Sequence, residues 1–197
     1  KYHTLLVVNA ISAFAMIPSF IYNGYYWASI AASTAALLTS FVFFFFLLRD
    51  LKGKQTLAKP WFLAGLFFAV ISSVGVFGLS YMMSSGNMTQ NLYLSSTYYY
   101  LHFQYNGFFI FSCIGLFLHS LKEIGSEIPE KENKMIFWLL FVGCVIGFGL
   151  SVLWIKMPLW IYIVIILGTI VQTIGAVKLY LLKAYSNQNK EPFFKIC

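Results

Sequence analysis

Ser95–His119 reads SSTYYYLHFQYNGFFIFSCIGLFLH, and it decides the class of the chain. It is long and apolar enough to cross a bilayer as a helix. It nonetheless opens with His102, Gln104, Tyr105 and Asn106 close together. Hydrocarbon penalises such groups by a few kcal/mol each when they are unpaired. A chain that keeps an imidazole, amides and a phenol at membrane depth gives them partners. Those partners are each other, another helix, a cofactor or a solute.

Five further apolar runs surround this one. Spans are expected over Leu5–Tyr22, Tyr26–Leu48, Trp61–Met83, Tyr98–Leu121, Ile136–Trp154 and Leu159–Leu182. The runs are continuous and do not alternate, which argues for helices rather than a barrel. Only 10% of the 197 residues are charged and 60% are hydrophobic, far from the roughly one-quarter charged of a soluble domain. The expected fold is an all-α polytopic membrane helical bundle of about six transmembrane helices. Residues 1–183 form the transmembrane domain, part of a larger bundle, and 184–197 form a polar cytoplasmic tail. The lipid bilayer is the first partner implied. The opening at Lys1 leads the reading toward a piece of a longer chain, whose other half or another subunit would be the second.

The +7 formal charge does not mark a nucleic-acid face, because the basic residues sit in loops between apolar runs. Lys1 lies on one side, together with the loops holding Arg49, Lys52, Lys54 and Lys59 and then Lys122, Lys131 and Lys134. Lys178, Lys183, Lys190 and Lys195 join them at the last helix end and tail, and Lys156 alone lies opposite. The positive-inside rule then places both termini in the cytoplasm. Tyr25, Tyr26, Trp27, Tyr81, Tyr98, Tyr99, Trp154 and Trp160 fall at the other boundary as an aromatic belt.

Small residues mark expected helix contacts: Gly143, Gly147 and Ser151 on the fifth span, Gly65, Ala69 and Ser73 on the third. On the fourth span, α-helical spacing puts His102, Tyr105, Asn106, Phe109 and Cys113 on one stripe, with Gly107 leaving room beside them. An imidazole flanked by aromatics at that depth is the arrangement a haem ligand needs, while on the residues alone the plainer reading is a histidine bonded to a neighbouring helix. His119 lies about 25 Å further along the helix, too far to share a metal with His102. Cys113, Cys144 and Cys197 have no metal-site or disulfide spacing. Asn9, Ser12, Thr34, Thr39, Ser72, Ser73, Gln172 and Thr173 are the other polar groups at depth. Asn87-Met88-Thr89 fits a glycosylation sequon. No nucleophile elbow, phosphate loop or zinc-protease motif is present.

The stretch Tyr98–Phe109, YYYLHFQYNGFF, resembles an uncharacterised branch of the haem-copper oxidase subunit I superfamily, with Phe108 where the signature has Trp. Tyr22-Asn23-Gly24-Tyr25 at a turn, the Ser-rich second helix, the basic loop and Ser72-Ser73-Val74-Gly75 extend the resemblance over residues 2–119. The resemblance implies a C-terminal, six-helix portion of a haem-binding bundle, with a respiratory or nitric-oxide-related role. It implies His102 as metal ligand and haem as cofactor, with Tyr105, Asn106 and Gln104 in the pocket. The chain lacks the earlier His-x-His-x-His cluster, so oxygen reduction by this chain alone is not implied. The expected location is a bacterial inner (cytoplasmic) membrane. Two rival readings stand beside it: half of a membrane transporter, and a structural membrane subunit without cofactor.

Overall fold

The computed structural model describes residues 1–197 except 25–26, 54, 88, 124, 126–127 and 189–197. Every regular element among the described residues is helical. The helices are α1 (Tyr2–Asn23), α2 (Trp27–Leu51), α3 (Lys59–Ser85), α4 (Gln90–His102), α5 (Ile110–Glu123), α6 (Glu130–Gly147) and α7 (Leu159–Gln188). A π-helical stretch, Phe103–Phe109, joins α4 to α5, and a 3₁₀ stretch, Phe148–Val152, continues α6. With those joins, 6 helices among the described residues are long and apolar enough to cross a membrane.

The chain divides into two compact units, Lys1–Lys54 and Gln55–Cys197. The first is an antiparallel hairpin of α1 and α2. Gly24 turns it with φ 59, a value glycine adopts without strain. Its seam is made of small polar residues: Ser12 on α1, Ser29 and Thr39 on α2, with Phe44 below. Ser12 and Thr39 donate back to their own helix, at 2.9 Å to the Val8 carbonyl and 2.7 Å to Ala35, so their hydroxyls stay satisfied away from water. The open end is tied by Asp50, which takes Lys1 Nζ at 2.8 and 3.0 Å and the Tyr2 hydroxyl at 2.6 Å.

The second unit holds α3 to α7. Its core is an aromatic ladder. Trp61 and Phe68 of α3 are fully buried with Phe111, and Phe103 is buried beside them. Phe68 stacks on Phe103 at 5.7 Å and meets Phe111 and Phe141 at 5.2 and 5.1 Å. Lipid supplies no hydrophobic force between helices, so close shape matching has to hold them. Glycines provide it. A Cβ on Gly107 would sit 2.5 Å from Phe68, and one on Gly75 would sit 2.5 Å from the Ser96 carbonyl oxygen. α3 thereby lies against α4, the π stretch and α5 in turn, while α6 lies along α7.

Several expected boundaries shift. The polar stretch 84–97, which falls between the expected spans, is mostly helical: α3 reaches Ser85, and α4 starts at Gln90 rather than Tyr98. Gly86 in a left-handed conformation makes the tight reversal between them. These polar turns continue beyond the apolar stretch and hydrogen-bond internally, so hydropathy alone misplaces them. α6 likewise starts at Glu130, where Pro129 precedes a first turn carrying Glu130 and Glu132. The helix α7 runs on to Gln188, into the expected tail. Tyr25, Tyr26, Lys54, Met88 of the sequon, and tail residues 189–197 with Lys190, Lys195 and Cys197 lie outside the described residues.

Candidate functional site

The π stretch coincides with the residues singled out in the sequence, FQYNGFF. Wider i→i+5 winding inserts an extra residue into a helix and rotates the C-terminal portion relative to the N-terminal one. Gly107 anchors that shift, since only a residue without a side chain can lie flat on Phe68. The winding overturns the single stripe expected from α-helical spacing. His102, Phe103, Gly107 and Phe111 face inward, while Tyr105, Phe109 and Cys113 are exposed. Asn106 and Gln104 are half-buried.

His102 is buried, and both of its ring nitrogens are engaged. Nε2 lies 2.9 Å from the Cys144 carbonyl of α6. A carbonyl only accepts, so Nε2 carries a proton. Nδ1 meets Asn106 Nδ2 at 3.2 Å and Ser151 Oγ at 3.5 Å. Phe103 and Phe148 meet the ring edge-on at 5.1 and 5.8 Å.

The Cys144 carbonyl lies where α6 leaves α-helical winding. An unbroken α-helix would spend it on the N–H of Phe148. Here α6 passes into 3₁₀ winding at Phe148, whose N–H turns to the Ile146 carbonyl instead. The broken segment of one helix therefore supplies the acceptor for the side chain at the broken segment of another. Beside it, a Cβ on Gly147 would be 3.7 Å from His102 Cε1 and 3.1 Å from Gln172 Oε1 of α7.

The remaining expected site residues disperse. Gln104 points to α3, where Ser72 Oγ lies 2.8 Å from its Oε1 and also donates to Ala69 at 2.8 Å. Tyr105 is 61% exposed. His119 is exposed and faces Glu123 one turn on, at 3.5 Å. Sequence reasoning missed Ser72 and Ser151 as partners, and the Cys144 carbonyl carries no sequence signal beyond Gly147-Phe148-Gly149. It also missed a second buried polar link, Trp61 Nε1 donating to Asn133 Oδ1 at 2.9 Å while Asn133 Nδ2 donates to the Leu57 carbonyl at 3.2 Å.

An axial haem ligand needs one ring nitrogen free to meet iron, with the other held by hydrogen bonding. In His102 both are spent on protein groups, so coordination would require breaking the Cys144 or the Asn106 contact. As arranged, the residues do not fit that role. Among the described residues, no group of three or more His, Cys, Asp or Glu converges to hold a metal.

Fold and site together define an all-α integral membrane protein whose buried polar groups bond to one another across helices. No family model, curated protein or solved structure matches the chain. The resemblance at Tyr98–Phe109 therefore rests on the sequence motifs alone.

Proposed function

We propose that the chain is a structural membrane subunit, and that His102 is a hydrogen-bonding clamp fixing the α4–α5 span against α6. One observation carries this reading. The ring donates from Nε2 to the Cys144 carbonyl at 2.9 Å and meets the Asn106 amide at Nδ1 at 3.2 Å, so an outside ligand would have to displace a protein contact. The clamp sits where both helices leave α-helical winding, one widening at Phe103–Phe109 and the other tightening at Phe148–Val152, and there the His102 side chain meets the Cys144 carbonyl. It fixes register between two spans that lipid would otherwise let slide. The loop charges support both termini facing the cytoplasm. Lys1 bonding Asp50 agrees with that, since it keeps both ends of the hairpin on one side.

The test is the absorbance and stability of the full-length protein and of His102→Phe. The clamp predicts no Soret band dependent on His102, and a loss of about 1–3 kcal/mol from stranding the Cys144 carbonyl and the Asn106 amide. A Soret band that disappears in His102→Phe would instead establish the haem reading implied by the resemblance.

A further inference from the structure

We propose that the α1 face carrying Asn9 is a self-association surface, on which two copies pair α1 against α1 in parallel with their Asn9 carboxamides hydrogen-bonded to each other. Asn9 lies about 10 Å along the helix from the charged end at Tyr2, inside the apolar span Tyr2–Tyr22. Its side chain is exposed, and it has no hydrogen-bond partner among the described residues. The nearby hydroxyls differ, because Ser12 and Ser19 each donate to a carbonyl of their own helix at 2.9 and 2.7 Å. A carboxamide has two donors and an acceptor. Lipid tails offer it nothing, so a bare amide at this depth is driven to find a partner.

The rest of the face is built for a helix. Leu6, Asn9, Ala13 and Ile17 recur at steps of three, four and four, the spacing of a packing seam, and all four are exposed. Ala13, one turn from Asn9, lets a neighbouring backbone come close. A second copy is the occupant that meets the chemistry best. The carboxamide is self-complementary, its N–H matching the C=O of its twin. A two-fold axis along the membrane normal also brings identical residues to identical depth, which an unrelated helix would match only by coincidence. A lone polar residue in an apolar seam is the device that fixes register in paired helices.

This inference rests on the hairpin lying in lipid and not on the His102 clamp, so the two fail separately. Full-length copies carrying donor or acceptor fluorescent proteins at the N-terminus would be reconstituted into phosphatidylcholine vesicles. Energy transfer should rise with the protein-to-lipid ratio. Asn9→Leu should weaken association about threefold to tenfold, while Asn9→Gln, which keeps donor and acceptor, should stay near wild type. Ile11→Leu, off the seam, should change nothing. Transfer no greater than random proximity gives in the wild-type protein would overturn the proposal. So would an Asn9→Leu variant that associates as well as the wild type.

Discussion

Alanine placed at Gly143 and at Gly147 should have unequal effects, although the sites lie one turn apart on the same helix. At Gly143 the added Cβ would sit 2.5 Å from Gln172 Cβ, 2.9 Å from its Cα and 3.0 Å from its backbone nitrogen. Carbon atoms rest about 3.5–4 Å apart, so α6 and α7 must part by roughly 1 Å there. Two of the three atoms belong to the α7 backbone and cannot rotate away. Forced overpacking of this kind costs about 1–3 kcal/mol. At Gly147 the nearest atom is the mobile end of Gln172, at 3.1 Å, and the next is His102 Cε1 at 3.7 Å. Swinging the amide aside relieves that contact, for less than about 1 kcal/mol. The gain in helix propensity from Gly to Ala is common to both variants and cancels in their difference. Gly143→Ala should therefore be less stable than Gly147→Ala by about 1–2 kcal/mol. Equilibrium unfolding in mixed micelles, monitored by far-ultraviolet circular dichroism over a rising SDS fraction, measures that gap. Coincident transitions, or Gly147→Ala unfolding first, would refute the packing argument.

Two other perturbations probe the buried polar link and the π stretch separately. Asn133→Leu strips the fully buried Trp61 indole of its acceptor and should cost about 1–3 kcal/mol by the same unfolding assay. Adding Trp61→Phe should recover part of that loss, because it removes the stranded N–H. Deleting Tyr105 removes one exposed residue from the π stretch, so the segment can close into α-helix with His102 and Phe111 still facing inward. That deletion should leave a folded, micelle-soluble protein, whereas deleting Ile114 from the regular part of α5 turns every later inward residue off the core and should abolish folding. Equal expression and melting of the two deletions would count against the register argument.

Legible and hidden features of this chain divide along one physical line. Spans were legible because bulk apolarity is a property of composition, and a run such as Trp61–Met83 signals its solvent whatever it packs against. Helical extensions past the apolar runs were not, because Gln90–Thr97 is polar and its helix continues only through backbone bonding begun deeper in the chain. Gly143 and Gly147 were legible as contacts, for small residues at spacing four mean close approach wherever they occur. The arrangement around His102 was not, and the reason is specific. Spacing arguments assume one winding number, and the site sits where two helices abandon it, one widening at Phe103–Phe109 and the other tightening at Phe148–Val152. Residue types identified which group would need a partner at depth, and correctly singled out His102 and Asn106 as neighbours. They could not reveal that the partner is a backbone carbonyl, since every residue carries one and which one comes within reach depends on how the opposing helix is wound. A buried histidine in a membrane span is thus ambiguous in sequence between ligand and clamp. The ambiguity turns on the second ring nitrogen: a carbonyl can hold Nε2–H in either role, and in His102 it is the Asn106 amide that stands where a metal would have to enter.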